Sequence, residues 1–260
     1  MSLADDSMRA AMEDPSDGRT CAEAVYETLK KAILEGKLAH GQVISQVKLS
    51  KDLAVSRTPV REAIRMLQAE GWVESEPNKR VRVAPVAPDS VEQFYAMRIT
   101  LEAMAVGFAV PRMDKNDFTE LENLLRAMRA QVLAHDYVGW EEPHKLFHRA
   151  LTRHAGDVIQ HTCTTMAQAT TRYRSIYMTG EPSAFWHSET DHMAIFEACV
   201  DRDAGLASAL LAKHLARTAI QLVAMLDPGR DPTPVRAAVN LVAGHLQEVS
   251  MPAPPQAQVT

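Results

Sequence analysis

The sequence predicts a mainly α-helical protein in two parts: a small N-terminal domain of three helices closed by a β-hairpin, and a C-terminal all-α antiparallel helical bundle. Three observations carry this expectation. Apolar residues recur at helical spacing through almost the whole chain. Strand-like runs are confined to Trp72-Val73 and Val81-Arg82-Val83. Between the two parts lies Pro85-Val-Ala-Pro88, a run that neither continues a strand nor opens a helix cleanly.

In the first part, Ala24 to Glu35 is amphipathic, with Val25, Leu29, Ala32 and Ile33 on one side and Gly36 as its stop. A second short helix fits Val47 to Leu53, followed by Ala54-Val55 as a turn. Residues 55–65, Val-Ser-Arg-Thr-Pro-Val-Arg-Glu-Ala-Ile-Arg, begin with cap and turn chemistry and run into a helix. Pro59 suits its first turn, where the missing N–H has no intrahelical use. Val60, Ile64 and Leu67 would face a core, while Arg61, Arg65 and Gln68 share another face. Arg57 and Thr58 sit at the N-terminal tip, and arginine forks there suit guanine edges and phosphates. Glu70-Gly71 ends this helix, and the two strands that follow flank a turn holding Asn78, Lys79 and Arg80. Helix, helix-turn-helix and basic hairpin in that order describe a winged helix-turn-helix that binds double-stranded DNA.

The runs Ile33-Leu-Glu-Gly-Lys-Leu38, Val55 to Ile64, and Leu67-Gln-Ala-Glu-Gly71 resemble the DNA-binding domain of GntR-type bacterial transcription regulators, over residues 21–86. The resemblance implies DNA contacts at Arg57, Thr58, Arg61 and the wing around Asn78, to which Arg65 and Lys79 are added by position. Two departures, His40-Gly41 for the usual Pro-Gly and Leu49-Ser50 for the usual Leu-Ala, leave the arginine helix untouched.

Charge supports that placement. Net charge is −5, yet residues 21–86 hold 11 Lys+Arg against 8 Asp+Glu, whereas residues 87–260 hold 15 against 20. Positive charge therefore gathers where phosphates would lie. Cys21, Cys163 and Cys199 form no CxxC pair and are odd in number, which fits a reduced cytoplasmic compartment, with Cys163 and Cys199 as small core residues. No apolar run is expected to span a bilayer, since that takes about 18 residues. Residues 1–20, rich in Asp, Ser and Met without periodicity, are expected to be disordered.

Beyond residue 88 the pattern predicts helices near 89–110, 115–134, 140–155, 157–178, 184–200 and 203–226, forming a domain over 89–226. The extension 227–260 is expected to hold one helix near 235–249 and then a disordered tail. His144 and His148 lie four apart in a segment that Pro143 would start as a helix, so both project from one face. His192 lies early in the fifth helix and His214 late in the sixth. Converging imidazoles in an apolar bundle suit a divalent metal, with Glu141, Glu189 or Asp191 as orienting carboxylates. Spacing alone leaves satisfied core or surface histidines as an equal reading.

Arg98-Ile-Thr-Leu-Glu102, Leu146-Phe-His-Arg-Ala-Leu151, His192 to Ala198, Asp203-Ala204 and His214-Leu215 resemble the all-helical ligand-binding (FCD) domain of the FadR-type branch of GntR regulators. That resemblance implies a metal held by His148, His192, His214 and an aspartate, a small organic acid bound above it, and a homodimer. His144 occupies the aspartate position. An all-nitrogen set favours zinc or nickel over manganese; Glu141 or Asp136 supplying a carboxylate remains the other option. Arg98 is a carboxylate clamp or a partner of Glu102, and Arg172 and Arg174 lie on a helix that could line the cavity, although two residues apart they face different ways. The competing functions are a metal-free regulator sensing a larger apolar ligand, and a metal-dependent hydrolase. Against the hydrolase stands the lack of a His-Glu-x-x-His motif and of a placed general base.

Overall fold

The computed structural model describes residues 20–75, 80–181 and 183–248. The expectations for Asn78 and Lys79, for the extension up to residue 19 and for the tail beyond residue 248 lie outside these residues. Helix α1 (Cys21–Leu34) opens with a capping box in which Thr20 and Glu23 satisfy each other's backbone N–H groups. Strand β1 (Val43–Ile44) leads to α2 (Gln46–Asp52), capped by Ser45. A tight turn with Ala54 at φ +54° then redirects the chain into α3 (Arg57–Ala69). Left-handed backbone costs a non-glycine residue roughly 1 kcal/mol, so this turn is held by the packing of the helices it joins.

Strands β2 (Val73–Ser75) and β3 (Val81–Val83) form the hairpin, and β1 adds to it, giving the antiparallel order β1-β3-β2. Val73 pairs with Val83, and Glu74 lies opposite Arg82. A polar cluster fastens α1 to the end of α3: Glu70 accepts from the Tyr26 hydroxyl, from Lys30 Nζ at 2.9 Å and from Trp72 Nε1 at 3.0 Å. Burial raises the Tyr26 hydroxyl to about 12, with the Glu70 bond adding to the effect, so it stays a donor. The side chains of Val25, Leu29, Ile33, Val60, Ile64 and Leu67 are buried together, as their spacing predicts.

The bundle comprises α4 (Pro88–Ala109), α5 (Lys115–Ala134), α6 (Tyr137–Leu151), α7 (Asp157–Gly180), α8 (Ala184–Val200) and α9 (Ala204–Leu226), followed by α10 (Thr233–Glu248). Pro88 does open α4, as its first residue, where proline needs no donor. Pro143 does not open α6; the helix starts six residues earlier because Asp136 caps it by accepting from Gly139 N at 3.0 Å. Pro143 inside the helix then leaves the Gly139 carbonyl without its usual donor.

Helix α9 is the hub, packing on α4, α7, α8 and α10, while α5 packs on α6 and α8. By length and composition it is apolar enough to cross a membrane, contrary to the sequence expectation, but half of its most apolar stretch is buried inside the bundle. Apolarity here follows from being surrounded by helices. Helix α1 rests on α6 and α7, so the N-terminal domain sits against the bundle through its first helix. Leu121, fully buried on α5, provides a measure of the core: Leu121→Ala is expected to cost about 2–5 kcal/mol in urea denaturation. A change under about 1 kcal/mol would mean that the α5 seam is not tightly packed.

Candidate metal centre and DNA-facing helix

Four helical histidines meet in the middle of the bundle. His144 and His148 come from one face of α6, His192 from α8 and His214 from α9, the last two at mid-helix rather than early and late. All four are buried, and one ring nitrogen from each lies within 4.8 Å of the others. Ring centroids are 4.6 Å apart for His144 and His148, 4.6 Å for His192 and His214, and 5.2 Å for His144 and His192. Trp140 stacks on His144 at 4.2 Å, and the Phe147 ring lies 4.9 Å from His192. This aromatic wall keeps water from the imidazoles.

Carboxylates fix the orientation of two rings. Glu102 Oε2 lies 3.3 Å from His148 Nδ1, and Glu102 is itself held by Arg98 Nε at 2.6 Å. Arg98 also donates to Thr170 Oγ1 at 2.8 Å. Burial would raise the Glu102 carboxyl, but the Arg98 guanidinium and His148 overcome it and hold it at about 2. An ionised carboxylate only accepts, so His148 Nδ1 carries the proton and Nε2 presents a lone pair. His214 Nδ1 lies 3.3 Å from Asp191 Oδ2, which also meets Arg217 NH1 at 3.1 Å.

The remaining nitrogens lack protein partners. His148 Nε2, His192 Nε2 and both nitrogens of His144 are buried without a hydrogen bond. Burial pushes His148 down to about 4 despite Glu102, and pushes His144 and His192 well below the ordinary imidazole value. Arg174 and the neighbouring imidazoles push His144 further the same way. Neutral rings with convergent, unpartnered nitrogens are the donor set that a divalent cation takes. The residues present therefore fit a metal.

Several sequence expectations change here. Glu141 and Asp136 do not stand in for the missing aspartate: Glu141 is bound by Arg174 and by the Tyr137 hydroxyl at 3.0 Å, and Asp136 caps α6. Of the three proposed orienting carboxylates, Asp191 meets a histidine, whereas Glu189 pairs with Arg129. Arg98 is not an open carboxylate clamp; it is buried with all its nitrogens engaged by Glu102 and Thr170. Arg172 turns away from the histidines, donating to the Tyr173 hydroxyl at 2.9 Å and lying close enough to His40 of the N-terminal domain to depress it further, after burial. Arg174, two residues on, faces the cluster instead, because two helical residues span about 200°. Its spacing of four from Thr170 was a usable signal. Arg217, also missed, borders a narrow cleft beside His144 and His214 together with Arg174.

In the N-terminal domain, α3 buries Val60, Ala63, Ile64 and Leu67 and exposes Arg57, Thr58, Arg61 and Arg65. Ser56 is the N-cap residue but makes no side-chain cap bond, so the first-turn N–H groups are open to an anion. Arg65 lies 3.8 Å from Glu62 in an exposed pair, a contact too weak to withhold it from a ligand.

The fold and these two sites together define a DNA-binding regulator with a buried ligand centre. Residues 21–83 match the gntR family of bacterial regulatory proteins and residues 93–217 match the FCD domain. An uncharacterized HTH-type transcriptional regulator of Agrobacterium vitis is 31% identical over 153 residues, covering 57% of this chain and 84% of that protein. The uncharacterized regulator YdhC of Bacillus subtilis is 33% identical over 100 residues, covering 38% of this chain and 45% of that protein. Among solved structures, E. coli McbR/YncC superposes with a TM-score of 0.62 at 20% identity, over 80% of this chain and all of that one, and so shares the fold. The chain belongs to the GntR family of bacterial transcriptional regulators and carries an FCD domain. Members of this family regulate transcription and are not enzymes.

Removing Glu102 tests the ionic scaffold. Glu102→Ala leaves Arg98 charged, buried and unpaired, with an expected loss of about 3–5 kcal/mol in chemical denaturation. A loss below about 1 kcal/mol, the range of an exposed pair, would mean that water reaches Arg98.

Proposed function

We propose that this regulator binds operator DNA as a cytoplasmic homodimer, and that a small organic acid seated beside a divalent metal in the bundle controls its DNA affinity. The observation that carries the reading is the set of four buried, neutral imidazoles whose inward nitrogens have no protein partner. His144, His148, His192 and His214 would hold the ion, with zinc or nickel favoured by an all-nitrogen set. Bound there, the cation supplies a Lewis-acidic centre for an oxygen ligand. This chain's own residues keep the site dry, fix the His148 tautomer through Glu102, and place cationic side chains at two openings.

One opening is a cavity of about 120 Å³ lined by His148, Lys145, Arg149 and Gln168. The other is the narrow cleft bordered by Arg174 and Arg217. Both suit a small anion better than a large apolar ligand, and this favours the metal-containing reading over the metal-free one. On the DNA side, Arg57, Thr58, Arg61 and Arg65 would meet base edges and phosphates, with Asn78 and Lys79 reaching the adjacent groove. Because α1 rests on α6 and α7, a shift of the helices that carry His144, His148 and Arg174 reaches the reading head directly. The size of that response is limited by the effector's difference in affinity between the two arrangements.

Elemental mass spectrometry of untagged protein should find close to one divalent metal per chain, and His192→Ala should lose most of it with helicity unchanged. Protein that stays empty after zinc is offered would remove the metal from the account. Arg61→Ala should weaken specific DNA binding about ten- to a hundredfold in a fluorescence titration while metal content holds; a parallel loss of both would contradict two separable modules.

A further inference from the structure

A charge-free groove runs along the bundle on the outer side of α4. From Gln93 onward, the exposed positions of α4 are Gln93, Met97, Met104 and Phe108, and the two ionic residues of that stretch, Arg98 and Glu102, are buried. The stripe is about 22 Å long at ~1.5 Å per residue. Met97, Met104 and Phe108 are 43–48% exposed, and Leu241 of α10, across the groove, is 61% exposed. Between these large side chains, Ala103 and Gly107 of α4 and Ala204, Gly205 and Ser208 of α9 form the floor of an open cavity of about 630 Å³. A Cβ on Gly107 would meet Ser208 Oγ at 3.3 Å, so the floor is set by close approach of α4 and α9.

This surface does not suit a small molecule. Its two hydroxyl groups already donate to helix carbonyls, Ser208 to Ala103 at 2.8 Å and Thr100 to Met97 at 3.0 Å, so they have no proton left to orient a ligand. Ligand sites combine apolar walls with a few free polar groups. It also lacks the cations that DNA would need. What it does have is a ridge of large side chains beside a trough of small ones on the same face. Such a surface is self-complementary: under a two-fold axis, the ridge of one copy faces the trough of the other, and the reverse. Without charge, identical copies meet without like-charge repulsion. The stripe is long enough to be the spine of an interface of about 800 Å² per partner.

We propose that this α4–α9–α10 face is where two copies of the chain pair, with Phe108, Met104 and Leu241 as the central side chains. Leu241 lies on α10, beyond the segment matched to the FCD domain, so part of the contact is this chain's own addition and narrows pairing to its own copies. The proposal deepens the homodimer of the proposed function and rests on that reading for its use on a palindromic operator.

Sedimentation equilibrium on the untagged full chain at micromolar concentration, without DNA, tests it. The expected mass is twice that of the 28.7 kDa chain. Phe108→Asp and Leu241→Arg alter exposed positions and, because of the two-fold axis, place each new charge against its own copy. Each should raise the dimer dissociation constant about a hundredfold, with circular dichroism and metal content unchanged. A wild-type monomer overturns the proposal, as does a dimer that neither variant weakens. A monomer that binds an apolar dye only after residues 249–260 are deleted would assign the groove to the C-terminal tail, and also overturns it. None of these readouts depends on Arg61 or His192, so the face can fail while the regulator reading stands.

Discussion

Four imidazoles packed into one dry pocket impose their terms on the rest of the bundle. A buried polar nitrogen without a partner is costly, and this pocket holds four of them. Around it, buried charges come in pairs: Arg98 with Glu102, Arg174 with Glu141, and Arg217 with Asp191 at the margin. Replacing such pairs by apolar side chains often stabilises a core, so their presence is better explained by the orientation they enforce. Glu102 sets the His148 tautomer, and Arg98 and Thr170 set Glu102. Through these contacts α4, α6, α7, α8 and α9 are all tied to the position of the histidines.

The same helices divide their faces among three tasks. Inward faces of α6, α8 and α9 hold the imidazoles. The side of α6 and α7 that meets α1 supports the N-terminal domain, where the Tyr26–Lys30–Glu70–Trp72 cluster keeps the arginine helix in place. Outer faces of α4, α9 and α10 carry an uncharged ridge and trough. An event at the centre is thus one helix thickness, about 10 Å, from both the DNA-reading head and the face assigned to the partner copy.

His144 alters the balance of that centre. With an aspartate in its place the site would carry one more negative charge; with imidazole, a bound dication keeps its full charge and attracts an anion more strongly. Trp140 stacked on the ring and Arg174 nearby both disfavour a protonated His144. A neutral imidazole is the form that ligates a metal.

Helix periods, caps and breakers are local properties, and most of the fold was legible from them. The six bundle helices and the arginine helix fall within a few residues of expectation because Gly36, Gly71 and the prolines act on their own backbone. The exposed row Arg57, Arg61 and Arg65 follows from helical spacing alone, as does the shared face of His144 and His148. The start of α6 was misplaced because the Asp136 cap outweighs Pro143, a competition between two local signals. The sequence could not choose between Arg172 and Arg174, or assign Arg98 to Glu102 rather than to a ligand. Those outcomes depend on which helices pack against α7 and α4, and contacts between residues 72 positions apart, such as Arg98 and Thr170, leave no periodic trace. The sequence by itself determined the elements and the faces they present; the tertiary structure decided which faces met, because burial and ion pairing are properties of neighbours brought together in space.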